Sequence, residues 1–216
     1  MSIKVLLAED HKLVREGLRA LLEKEPSMDV VAEADNGREA IQLTRQLHPD
    51  VVVMDLTMPD MNGIEATRRI VAGIPEVRVL ALSMHSDKRF VQEAINAGAK
   101  GYLLKDVASE ELLAAVRTVA AGKIYLCSKI AGVIVEEYKR WSTEELSLPS
   151  VHLSSREREV LQLLAEGKST KDTAFTLGVS VKTVETHRQQ VMKKLKVSSV
   201  AELTKYAIRE GLTSLQ

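Results

Sequence analysis

An α/β domain built on a parallel sheet, followed by a small all-α domain of four helices, is the architecture that three features of this sequence predict. Short β-branched runs alternate with stretches of helical period through residue 121, as βαβ units do. Acidic, hydroxyl or ammonium side chains stand directly after four of those runs. From residue 152 onward the strand-like runs cease, and Ser and Gly residues punctuate short segments of helical spacing.

The strand-like runs are Ile3–Ala8, Val51–Met54, Val77–Leu82 and Gly101–Leu104. Between and after them, Leu18, Leu21 and Leu22, then Ala40, Leu43 and Leu47, then Leu112, Leu113, Val116 and Val119 recur at helical spacing. Five βα units are read over 1–123. Over 124–150 the pattern weakens to a linker: Ile130, Val133, Ile134, Glu137, Tyr138 and Trp141 have helical spacing, and a polar stretch from Ser142 to Ser150 contains Pro149. In 151–216, Ser154 with Glu157 and Ser199 with Glu202 fit capping boxes, in which Ser and Glu satisfy exposed backbone donors at a helix start. Gly167 closes the first helix of this region. Leu177-Gly178-Val179-Ser180 makes a tight turn with Ser180 as the next N-cap, so a helix-turn-helix is expected.

Glu9 and Asp10, Asp55, Ser83 and Lys105 all fall at predicted strand C-termini. In an open parallel sheet the ligand crevice lies beyond those ends, where strand order reverses. Three clustered carboxylates repel one another, and a hard divalent cation held by oxygens, typically Mg²⁺, is the usual relief. Lys105 and Ser83 are then placed to hold phosphoryl oxygens.

The residues Glu9-Asp10-His11, the run from Asp55 to Gly63 (DLTMPDMNG), Ala81-Leu82-Ser83 and Gly101-Tyr102-Leu103-Leu104-Lys105 resemble the signature of the two-component response-regulator receiver domain over roughly 3–121. That resemblance implies a flavodoxin-like (βα)5 fold, with Asp55 as phosphoacceptor. It also implies Mg²⁺ on Glu9, Asp10, Asp55 and the Thr57 carbonyl, Ser83 as switch hydroxyl, Lys105 on the phosphate and Tyr102 as the aromatic switch. One departure is Lys105-Asp106, where many receivers have Lys-Pro with a cis bond. Before a non-proline residue, cis costs about 3 kcal/mol more than trans, and the isomer stays open. His85 takes a rim position that in receivers influences water access, with simple solvent exposure as the alternative. His11 is left unassigned.

Along 181–196, Val184, His187, Val191 and Leu195 share the face expected to turn inward, with His187 packed and hydrogen-bonded there. Lys182, Glu185, Thr186, Gln189, Lys193 and Lys196 are left outward. A helix with short polar and basic side chains outward, entered from a tight turn, fits the major groove of duplex DNA. Leu153 to Leu161, Glu166-Gly167-Lys168-Ser169, Leu177 to Ser180 and Thr183 to Arg188 resemble the LuxR-type DNA-binding domain over 152–212. Together the halves are similar to the NarL/FixJ group of response regulators. Glu185, Thr186 and Gln189 are expected to read bases. Lys182, Arg188 and Lys193 are expected to meet phosphates, and Thr183 completes the DNA-facing set. Val200, Leu203, Tyr206 and Ala207 form one stripe on the last helix, read as a dimerisation surface. Thr173 and Phe175 invert the LuxR-type pattern, which usually has an apolar then a polar residue there.

Bulk properties agree with such a division. Net formal charge is zero, yet residues 1–125 carry 16 basic against 19 acidic side chains and 126–216 carry 14 against 11. Within Lys168–Lys196 seven side chains are basic and two acidic, as a DNA-facing region requires. With 3% aromatic residues, a stacking surface for single-stranded nucleic acid is disfavoured. The lone Cys127 forbids an intrachain disulfide, and no apolar run reaches about 18 residues, so a cytoplasmic protein without a membrane span is expected. A phosphatase of haloacid-dehalogenase type would need a general-acid Asp two residues after the nucleophile, where Thr57 stands. A ligand-sensing regulator without phosphorylation leaves the acidic pair, Asp55, Ser83 and Lys105 unexplained. The expectation is a transcriptional regulator and not a metabolic enzyme. By the resemblance to response regulators, a sensor histidine kinase is expected to phosphorylate Asp55 and so promote homodimerisation and binding to double-stranded promoter DNA.

Overall fold

The computed structural model describes residues 2–106, 109–132, 135 and 153–213. They fall into two compact units, within Met1–Glu145 and Leu146–Gln216. The first runs β1 (Ile3–Ala8), α1 (Lys12–Glu23), β2 (Met28–Ala34), α2 (Gly37–Leu47), β3 (Val51–Asp55), α3 (Gly63–Gly73), β4 (Arg78–Ser83), α4 (Lys88–Asn96), β5 (Gly101–Leu104), α5 (Ser109–Ala120) and β6 (Tyr125–Leu126). All strand pairs are parallel, in the order β2-β1-β3-β4-β5-β6. This is the flavodoxin-like sheet with helices on both faces.

Side chains alternate across a strand, so a sheet covered on both faces needs apolar residues at every position. In β1, Val5 and Leu7 join one core with Leu22 of α1 and Leu112, Val116 and Val119 of α5. Leu6 and Ala8 join the other, with Ala40 and Ile41 of α2 and Ala66 and Ile70 of α3. β3 divides likewise, Val51 and Val53 against Val52 and Met54. The sheet is one short strand wider than five βα units require. Tyr125–Leu126 pairs with β5, and Cys127 and Ile130 are buried in the first core, so the chain just past residue 123 is part of the sheet domain and not linker. Residues 128–132 are helical. Of the expected linker helix, Val133, Ile134, Glu137, Tyr138 and Trp141 lie outside the described residues, as does the polar stretch 142–150.

The second unit has α6 (Ser155–Ala165), α7 (Thr170–Leu177), α8 (Val181–Leu195) and α9 (Val200–Arg209). Ser154 with Glu157 and Ser199 with Glu202 form the expected capping boxes, and Ser169 with Asp172 forms a third. Gly178 ends α7 at φ 64°, left-handed backbone that costs glycine nothing, and Ser180 caps α8 by accepting the Thr183 N–H. The apolar faces meet in two clusters. Leu161, Val191, Leu203, Ala207 and Leu212 pack in one, and Val160, Leu163, Leu164, Ala174, Leu177 and Val184 in the other.

Candidate functional site

Strand order reverses between β1 and β3, and the crevice there opens at the ends of β1, β3, β4 and β5. Asp55 and Ser83 are the last residues of their strands, Glu9 and Asp10 follow β1, and Lys105 follows β5. Close packing holds the floor. A Cβ added to Gly63, at the start of α3, would lie 1.9 Å from the Asp55 carbonyl oxygen, so only glycine lets the helix approach the end of β3 this closely.

Asp55 and Glu9 are almost fully buried, 2% and 1% exposed. The Lys105 ammonium bridges them, with Nζ 2.8 Å from Asp55 Oδ2 and 2.6 Å from Glu9 Oε2. Asp55 Oδ1 accepts the Thr57 N–H at 3.0 Å. Burial first and the Glu9 charge second raise the Asp55 carboxyl to about 6, against the opposing pull of Lys105. Burial disfavours the Lys105 charge, but the Asp55 and Glu9 carboxylates outweigh it and raise its pKa.

Ligand atoms of Glu9, Asp10, His11 and Asp55 lie within 4.8 Å of one another. Three carboxylates and one ammonium leave two negative charges, the complement of a divalent cation. Glu9 Oε2 is buried against the Lys105 ammonium, and Glu9 Oε1 accepts the His11 N–H at 3.2 Å. A hard, oxygen-rich donor set with two uncompensated negative charges fits Mg²⁺. His11 was missed as a member of this group. Its Nδ1 lies 3.0 Å from Asp10 Oδ1 and 3.3 Å from Glu9 Oε1, and its place directly after the acidic pair was the available signal. Arg15 was missed too: its guanidinium donates to the Glu9 carbonyl through Nη1 and to Glu33 through Nε at 3.0 Å, tying the β1–α1 loop to β2.

Ser83 is fully buried, and its hydroxyl accepts the His85 N–H at 3.0 Å. Tyr102 is fully buried as well; its phenol donates to the His85 carbonyl at 2.7 Å and hydrogen-bonds Ser83. Burial raises the phenol above the ordinary tyrosine range. The His85 ring stacks on Phe90, centroids 4.1 Å apart. Tyr102 thus already fills the interior beside Ser83, and the Lys105–Asp106 bond is trans, since the described residues contain no cis peptide.

On α8, Lys182, Glu185, Thr186, Gln189 and Lys193 are exposed, Thr183, His187 and Arg188 are half-buried, and Val184 and Val191 are buried. Thr183 is engaged in the cap, its hydroxyl 2.8 Å from Ser180 Oγ, and Thr186 donates to the Lys182 carbonyl at 2.9 Å. His187 packs inward as expected, but its buried Nδ1 has no hydrogen-bond partner among the described residues. The α9 stripe requires a correction. Leu203 and Ala207 are core residues against Leu161 and Val191, Tyr206 packs partly against the same cluster, and only Val200 is exposed. Thr173 is buried, its hydroxyl without a hydrogen-bond partner among the described residues, while Phe175 is 91% exposed, so the unusual pair does not exchange positions across the helix.

The sequence pattern of the response regulator receiver domain matches residues 5–117, and that of the bacterial regulatory proteins of the luxR family matches 151–207. The oxygen regulatory protein NreC of Staphylococcus epidermidis (strain ATCC 12228 / FDA PCI 1200) is 41% identical over 215 residues, which cover 97% of this chain and 99% of NreC. Among solved structures, a LuxR-family two-component response regulator from Aurantimonas sp. SI85-9A1 is 42% identical with a TM-score of 0.62, covering 64% of this chain and 99% of its own. The RcsB response regulator of Salmonella typhimurium, solved in a study of DNA interaction, is 26% identical with a TM-score of 0.66, covering 97% and 98%.

Proposed function

This chain belongs to the response regulators that join a receiver domain to a LuxR-type DNA-binding domain, and from that premise we propose that Asp55 is its phosphoacceptor and a sensor histidine kinase its donor. The chain is a phosphorylation-controlled, DNA-binding transcriptional regulator. The observation that carries the assignment is a buried carboxylate at the end of β3, held between the Lys105 ammonium and the Glu9-Asp10 pair.

In this reading an Asp55 carboxylate oxygen attacks phosphorus. The P–N bond to the donor imidazole breaks, and its electron pair leaves with the imidazole. Glu9, Asp10, Asp55 and the Thr57 carbonyl are the residues that would hold Mg²⁺, which offsets carboxylate charge against the incoming phosphoryl oxygens. Lys105 Nζ shifts from the Asp55 carboxylate to a phosphoryl oxygen. The Ser83 hydroxyl exchanges its bonds with His85 and Tyr102 for another phosphoryl oxygen. Because Tyr102 is already interior, the switch is read as a change of hydrogen-bond partner around Ser83 and not as an inward swing of the ring. No carboxylate stands at position 57 to activate water, which favours a lasting signal over turnover.

For the second unit, Glu185, Thr186 and Gln189 on the exposed face of α8 are assigned to base edges, and Lys182, Arg188 and Lys193 to phosphates. Thr183 supports them as part of the cap. Phosphorylation is proposed to promote pairing of two chains on promoter DNA. With Leu203 and Ala207 committed to the core, any pairing through α9 uses its exposed face, which carries Val200, Ala201 and Lys205. A cytoplasmic location agrees with the described residues, none of whose helices is long and apolar enough to cross a membrane. Incubation with a small phosphoryl donor and Mg²⁺, followed by mass spectrometry, tests the site. One phosphoryl group is expected on the peptide containing Asp55 and none on Asp55→Asn, whereas equal labelling of both would overturn the assignment.

A further inference from the structure

Arg15 closes the first turn of α1, where the helix dipole disfavours a cation, and that turn holds no acidic residue to offset it. What holds it there lies outside the helix. The side chain is 16% exposed and reaches two acceptors: Nη1 donates to the Glu9 carbonyl, and Nε donates at 3.0 Å to Glu33 Oε2 on the edge strand β2. The other Glu33 oxygen accepts from Arg19 Nη1 at 2.5 Å, and Arg19 Nε donates to Glu23 at 2.7 Å, so the anchor is itself held. Two guanidiniums and two carboxylates sum to zero. The set therefore adds no net charge against a cation entering the pocket.

Only Glu9, Asp10 and His11 separate β1 from α1. The Glu9 N–H donates to the Ala34 carbonyl of β2 at 3.0 Å, and the Glu9 carbonyl accepts from Arg15, so the main chain of Glu9 is held on both sides. A peptide unit is planar, and the direction of that carbonyl also fixes the N–H and Cα of Asp10. One guanidinium thus orients the backbone on which both acidic side chains stand. We propose that Arg15 is a positioning residue for the acidic pair: anchored on Glu33, it fixes the Glu9–Asp10 peptide so that the two carboxylates are set for a divalent cation before one binds. The proposal rests on the reading of Glu9 and Asp10 as metal ligands, and it gives Arg15 no contact with the ion or with the phosphoryl group. A guanidinium suits this role because its donors form a rigid fork. A lysine ammonium is a single point on a flexible stem and cannot fix two acceptors in this way.

The test uses the ¹⁵N-labelled full chain, stripped of metal and titrated with MgCl₂ while the amide signals of the loop are followed, for the parent, Arg15→Gln and Arg15→Lys. Loss of a group that orients metal ligands costs about 10- to 100-fold in affinity, so the Mg²⁺ dissociation constant is expected to rise at least about tenfold in both variants. A second readout needs no metal. In hydrogen exchange of the stripped chain, the Glu9 amide should exchange about tenfold faster in both variants, while the amides of Val53 in β3 and Leu80 in β4 are little changed. Parent-like Mg²⁺ affinity or parent-like Glu9 exchange in Arg15→Gln overturns the role of Arg15. Parent-like affinity in Arg15→Lys overturns the two-point anchor in favour of charge alone, and exchange accelerated to the same degree in β3 and β4 overturns it in favour of a general loss of stability. Absence of Mg²⁺ binding by the parent overturns the metal reading itself, a failure distinguishable from the others because it appears before any residue is changed.

Discussion

Replacing Asp55 by Asn removes a charge that the first unit holds at a cost to its own stability, and the size of that cost follows from the site. Burial and Glu9 raise the carboxyl from its ordinary 3.8 to about 6. A tenfold change in acidity corresponds to 1.36 kcal/mol, so ionised Asp55 lowers stability by about 3 kcal/mol relative to the protonated form. The sign is set by proton binding. Between 3.8 and about 6 the folded state binds more protons than the unfolded chain, so stability falls as pH rises through that window and stays low above it. An amide does not titrate. It does place an NH₂ group against either Lys105 Nζ or the Thr57 N–H, but that penalty is the same at every pH. The stability difference between Asp55→Asn and the parent should therefore increase by about 2–3 kcal/mol in favour of the variant from pH 4 to pH 7.5. Urea denaturation of the full chain in the presence of a chelator, followed by circular dichroism at both pH values, measures it, and groups that do not interact with Asp55 cancel in the difference. A pH-independent difference, or one that moves against the variant, would refute the reasoning about burial and charge at this site.

Gly63→Ala forces a Cβ to 1.9 Å from the Asp55 carbonyl oxygen, so α3 or the end of β3 must move; phosphorylation at Asp55 should be lost or strongly slowed and the first unit's melting temperature lowered. Leu203→Ala should destabilise the second unit by about 2–5 kcal/mol in chemical denaturation, as a cavity in the core does; a dimer-surface residue would instead leave the unfolding of dilute monomer unchanged. Gln189→Ala should cost about 1–3 kcal/mol on the preferred operator and little on random duplex, while Lys182→Ala weakens both and lowers the salt slope by about 1, as read by fluorescence anisotropy; equal behaviour of the two on both DNAs would dissolve the division between base and phosphate contacts.

The receiver site was legible because strand C-termini can be located from apolar runs, and the residues placed there have no packing reason to be acidic, hydroxylic or cationic. Lys105 between Asp55 and Glu9 is the direct outcome of that placement. The cap residues Ser154, Ser180 and Ser199 were legible for a similarly local reason, since an N-cap needs only its own helix. What the sequence did not disclose depends on distant partners. A stripe such as Val200, Leu203, Tyr206 and Ala207 has the same periodicity whether it faces its own domain or a second copy, and Leu161 and Val191 claim most of it. Tyr125–Leu126 is too short to show a period, and only its pairing with β5 makes it a strand. His11 and Arg15 act through atoms that folding brings to Glu9, one by a side chain turned back over the loop and the other by a bond to a backbone carbonyl.

The central claim is that a phosphoryl group on Asp55 changes what the second unit does to DNA. Its most direct test is the affinity of the parent and of Asp55→Asn for a selected operator, each measured by anisotropy with Mg²⁺, with and without a phosphoryl donor. A coupling of about 1–3 kcal/mol, or roughly 5- to 150-fold tighter binding, is predicted for the phosphorylated parent alone. Equal operator affinity of the parent with and without the phosphoryl group, at a labelling yield confirmed by mass, would contradict it.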